Sequence, residues 1–101
     1  HQLRARMLSK DTPHQIGNRL IAESAEAYID IINKYHNLTP VNQKLGNGKF
    51  YKRTDFSIQS VKRLYTAFAD GMIAEYLQNK TERDSNAPIY SNPSIGGQRF
   101  L

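Results

Sequence analysis

The 101-residue chain contains no cysteine. That absence excludes disulfide scaffolds, thiolate nucleophiles and Cys-ligated zinc fingers, and it favours an intracellular or virion setting. Long apolar runs are missing too: no stretch approaches the roughly 18 residues needed to cross a bilayer, and no segment has the charge, apolar and small-residue order of a signal peptide. Histidines are few and scattered, at His1, His14 and His36, and no serine sits in a nucleophile-elbow context. Glu23 and Glu26 share a helical face, but no histidine stands at the Glu-x-x-His spacing of a carboxylate-bridged metal pair. A binding protein rather than an enzyme is expected, with no metal, no cofactor and no small-molecule substrate. Internal repeats and low-complexity runs are absent as well.

Hydrophobic residues make up only 39% of the chain, so part of it is expected to lie outside a single modest core. The first residue is His1 rather than methionine, as in a processed product or a piece of a longer chain.

What is present is a helical pattern. Residues 1–10, with Leu3, Met7 and Leu8 on one side, predict a short N-terminal helix. Thr12-Pro13-His14-Gln15 is a strong start signal, with Thr12 as cap, Pro13 in the first turn and Gln15 completing a capping box. From there Ile16, Leu20, Ile21, Tyr28, Ile31, Ile32 and Tyr35 keep helical spacing, and Arg19 with Glu23 and Asp30 with Lys34 form i,i+4 pairs. Asn37 is suited to a left-handed stop and Pro40 forbids continuation. Residues 41–54 lose the period around Gly46-Asn47-Gly48 and predict a loop or a hairpin. That glycine pair lacks the spacing of a phosphate-binding loop.

A second long helix is predicted from Phe56 to Asn79, capped by Thr54, Asp55 or Ser57. Its core stripe is Ile58, Val61, Leu64, Tyr65, Phe68, Met72 and Tyr76. Gly71 falls inside it at a cost of about 1 kcal/mol relative to alanine. Ile73 and Leu77 point off the stripe and need a cover. After Lys80 the composition turns polar, with Pro88, Pro93, Gly96 and Gly97, and predicts an extended arm. The expected architecture is all-α: two long antiparallel amphipathic helices and a short N-terminal helix in a domain spanning 1–80, a basic loop or hairpin between the long helices, and an extended C-terminal arm over 81–101.

Charge is concentrated in one place. Lys44, Lys49, Lys52, Arg53, Lys62 and Arg63 stand against the single acid Asp55, an excess equal to the formal net charge of +5. Phe50 and Tyr51 lie among these cations, and Gln59 and Thr66 extend the set along an exposed helical face. Cations that pair with phosphates, interleaved with rings that stack on bases, point to nucleic acid as partner. No homeodomain, zinc-finger or RNA-recognition signature accompanies them. The plainer interpretation is that the cations keep a turn and a helix in water. The competing class is an assembly or adaptor module that uses Ile73 and Leu77 together with arm residues Ile89, Tyr90, Ile95, Phe100 and Leu101. Self-association through the two-sided end of the last helix is expected on that basis.

Overall fold

Thr12 starts the longest helix, α1 (Pro13–Asn33), as its neighbours predict. In the computed structural model, which describes residues 1–43, 46, 48–93 and 95, Thr12 Oγ1 accepts from the Gln15 amide at 3.3 Å and Gln15 Oε1 accepts from the Thr12 amide at 2.8 Å. Two of the unsatisfied donors at the helix start are thereby met. The exit differs from expectation. No residue other than glycine has a positive φ among the described residues, so Asn37 is not a left-handed stop. Instead the Lys34 amide donates to the Asp30 carbonyl at 3.1 Å, a 3-10 turn over Tyr35–Asn37 follows, and Leu38 leaves in an extended conformation ahead of Pro40.

The second predicted helix is divided. α2 (Ile58–Ala69) ends at Asp70, Gly71 adopts φ +88°, and α3 (Met72–Gln78) sets off afresh. The Gly71 amide donates to the Phe68 carbonyl at 3.3 Å, one of the closing bonds of a left-handed helix stop. Apart from its immediate chain neighbours, nothing lies within 4 Å of where a Cβ would sit. Glycine is therefore required by the backbone angle, not by close packing, and its role is to end a helix rather than to be tolerated within one.

Two further expectations are corrected. Residues 81–86, assigned to an extended arm, are helical: α4 (Lys80–Asn86) is held by Lys80 Nζ on Asp84 Oδ2 at 2.6 Å and by Ser85 Oγ on the Thr81 carbonyl at 2.8 Å. These i,i+4 contacts support a segment whose composition is polar throughout. The short N-terminal helix does not form, because its backbone groups are bonded elsewhere. The Gln2 amide donates to the Tyr90 carbonyl at 2.8 Å, the Leu8 amide donates to Asp11 Oδ2 at 2.7 Å, and the Arg6 carbonyl accepts from Arg19 Nη1 at 2.6 Å. Residues 1–4 run irregularly alongside 87–92. Arg4 donates to the Ala87 carbonyl, the Tyr90 amide donates to Gln2 Oε1 at 2.7 Å, and the Asn92 amide donates to His1 Nδ1 at 3.1 Å.

The helices pack in chain order, α1 on α2, α2 on α3 and α3 on α4. Among the described residues only Ile16 and Ile73 are buried apolar side chains. Of the predicted stripe on α2, Ile58, Leu64 and Tyr65 are exposed and Val61 and Phe68 half-buried. The chain exposes 8676 Å², whereas a compact monomer of its mass exposes about 5,800 Å². Its radius of gyration is 15.9 Å, against about 12.7 Å for a compact chain of this length.

Candidate nucleic-acid interface

The basic segment starts in the irregular stretch before α2. Lys49, Phe50, Tyr51 and Lys52 are all exposed, and Phe50 retains 89% of its surface. A phenylalanine left in water forgoes about 2 kcal/mol of burial, so its position is not explained by the core of this chain. Phe50 and Tyr51 therefore do not close the end of the core.

A 3-10 turn over Arg53–Asp55 then turns the chain into α2. The one acid of the segment is occupied in that turn. Asp55 Oδ2 accepts from the Lys52 amide at 2.6 Å, and its carbonyl accepts from Ser60 Oγ at 3.1 Å. Ser57 is the cap of α2, with Oγ accepting from the Ser60 amide at 3.2 Å. Once α2 begins, Gln59, Lys62, Arg63 and Thr66 fall at i, i+3, i+4 and i+7 and share one exposed face. Arg63 Nη2 reaches Ser60 Oγ at 3.5 Å.

Among the described residues, Lys49, Lys52, Arg53, Lys62 and Arg63 make no ion pair. The ion pairs lie instead among residues 4–23 and 80–84, on either side of the basic segment in sequence. Arg19 grips Asp11 with two nitrogens at 2.8 Å each, Arg6 Nε lies 3.4 Å from Glu23 Oε1, and Asp84 is approached by Lys80 and by Arg4 Nε at 3.6 Å. Arg19 thus takes Asp11, not the Glu23 expected from i,i+4 spacing. The hydrogen bonds from Arg19 hold the Asp11 carboxyl down at about 2 and push the Arg19 guanidinium up in turn. Lys80 lowers Asp84 in the same way. Tyr76, which donates to Asp84 Oδ1 at 2.9 Å, is raised, chiefly by burial and then by that bond. These are structural ion pairs, directed inward between the N-terminal segment, α1 and α4.

The arm and last-helix residues do not form one outward surface. Ile73 is buried at 6% exposure, beside a hollow shared with the 9–13 turn, Tyr65 and Phe68. The chain itself supplies its cover, which corrects its assignment as a partner contact. Leu77, Ile89 and Ile95 are half-buried and Tyr90 is exposed. Lys44, Phe100 and Leu101 lie outside the described residues, as does part of the 41–54 hairpin or loop. No strand occurs among the residues that are described there.

Phe56, which its sequence position did not single out, and Ile58, which its spacing placed in the core stripe, are also exposed, at 77% and 71%. The signal that could have found them is the α2 start itself: Phe56 precedes the cap Ser57, and Ile58 is the first residue of the helix. No group of three potential metal-ligating side chains occurs among the described residues, and no helix there is long and apolar enough to cross a membrane. Comparison of the chain with protein-family models, with curated proteins and with solved structures finds no match.

Proposed function

We propose that the chain is a nucleic-acid-associated accessory protein that holds a phosphate backbone through the segment from Lys49 to Thr66. The observation that carries this reading is the coincidence of five cations that make no ion pair among the described residues and two exposed rings, Phe50 and Tyr51, over one short stretch of chain. Lysine and arginine not neutralised within the fold keep their field for a ligand, and condensed counterions are released when phosphates replace them. Rings already in water lose nothing on stacking against bases, a contact worth about 1–3 kcal/mol per base. Lys44 joins the proposed binding segment on its place in the sequence alone.

Fluorescence anisotropy with labelled single- and double-stranded DNA and RNA, repeated over a salt series, tests it. Micromolar or tighter binding is expected, with an affinity that falls linearly on a log–log salt plot. Changing Phe50 and Tyr51 to alanine should weaken single strands more than duplexes. An absence of binding at low salt would end this reading.

A second reading, an assembly or adaptor subunit, is favoured by a separate observation. The exposed area is about half as large again as a compact monomer of this mass would show.

A further inference from the structure

α1 is amphipathic in an inverted sense. Its covered side carries Ile16, Leu20, Ala27 and Ile31, but also Arg19, Glu23 and Asp30. With α1 drawn at 3.6 residues per turn, all five charged residues of residues 16–34 fall on that side or next to it, and an arc of about 160° opposite holds none. That open arc carries Ile21, Tyr28, Ile29 and Ile32, exposed at 69%, 64%, 58% and 58%, and it continues into Tyr35.

The arc has a finer order. Asn18, Ile21, Ala25, Tyr28 and Ile32 are spaced 3-4-3-4 along α1, the repeat that keeps one seam of a helix against a partner helix, and Tyr35 follows three residues on in the 3-10 turn. The flanking positions Ala22, Ser24, Ile29 and Ile31 are uncharged as well, so no like-charge repulsion opposes pairing of the seam with itself.

We propose that this face is a self-complementary seam on which a second copy of the chain packs its own α1 in antiparallel fashion. The order of side chains selects the direction. Antiparallel pairing about a two-fold axis between residues 26 and 27 sets Ile21 against Ile32 and small Ala25 against large Tyr28, and it sets Asn18 against Tyr35. Parallel pairing would set Tyr28 on Tyr28 and leave a void at Ala25, a mismatch that close-packed interfaces avoid. The chain as a whole exposes about 2,900 Å² more than a compact monomer, more than the ~800 Å² that a standard interface takes from each side. The expected seat of self-association therefore moves from the last helix, where Ile73 is already covered, to α1. This inference deepens the assembly reading and is independent of nucleic-acid binding.

The test uses the full chain without nucleic acid. Sedimentation equilibrium from about 1 to 300 μM should give twice the 11.6 kDa chain mass at the upper concentrations. Ile32→Asp should raise the dissociation constant about 30-fold or more, as loss of a central contact does. Because the chain has no cysteine, cross-linking reads the register directly. An equimolar mixture of Ile21→Cys and Ile32→Cys chains should form a disulfide joining one of each, and neither alone should cross-link efficiently. Efficient cross-linking of Ile21→Cys with itself, or a dimer unaffected by Ile32→Asp, would overturn the proposal. So would a single-chain mass at every concentration, which would leave the assembly reading to a different protein partner.

Discussion

The two ends of this molecule treat charge and apolar surface in opposite ways. At the closed end, the N-terminal segment, the start of α1 and the run from α3 to residue 92 engage one another. Arg4, Arg6, Arg19 and Lys80 each meet a carboxylate there, and Ile16 and Ile73 are buried. At the open end, from Lys49 into α2, cations make no ion pair among the described residues, and Phe50, Tyr51, Phe56 and Ile58 stand in water. Both ends use the same residue types. The difference is whether the fold satisfies them, and a group that the fold leaves unsatisfied remains available to a ligand.

The contrast is sharpened most by reversing the charge at Lys49, Lys52, Arg53, Lys62 and Arg63. Nucleic-acid affinity should fall on the order of 10³-fold or more near 0.1 M salt, and the salt slope should flatten by about 0.7–0.9 per lost contact. Thermal stability should change little, since none of these cations makes an ion pair among the described residues. At the closed end the expectation is reversed. Ile73→Ala should destabilise by about 2–4 kcal/mol in urea unfolding, whereas Ile58→Ala on the open end should stay within about 0.5 kcal/mol. Equal costs at the two positions would dissolve the distinction between the ends.

Smaller effects follow from the helix ends. Gly71→Ala places a side chain at φ +88° and should cost about 1–2 kcal/mol. Thr12→Ala removes one capping bond and should cost about 1 kcal/mol. Last is the acid response of the closed end. Asp11 titrates at about 2 in the folded chain, below its ordinary 3.8, so the folded state binds fewer protons over that window than the unfolded state. Its contribution is complete above the ordinary value and is lost as the pH falls through about 2. An acid titration followed by circular dichroism should show a shallower loss over that window for Asp11→Asn than for the intact chain.

Local chemistry made part of this legible in the sequence. Thr12, Pro13 and Gln15 mark a helix start because their bonds reach only three residues, and Ser57 does the same for α2. Helical class follows from spacing alone. The rest depended on distant partners. Nothing near Gln2 shows that its amide bonds residue 90, so residues 1–10 suggest a helix by their spacing. Gly71 looks like a tolerated interior glycine because the apolar period continues across it, while the backbone uses it as a stop. On α1 the apolar residues span two arcs, and periodicity cannot say which arc the chain covers. The basic segment is visible because charge is counted without knowing the fold, but that its cations make no ion pair among the described residues depends on where the acids pack.

The most direct test of the division between the ends is a residue-resolved one: amide chemical shifts of the labelled chain during titration with a short single-stranded oligonucleotide at low salt. Shifts confined to residues 49–66, with 1–20 and 72–92 unchanged, are predicted. Shifts centred on the Arg4, Arg6 and Arg19 cluster, or spread evenly over the chain, would contradict the account.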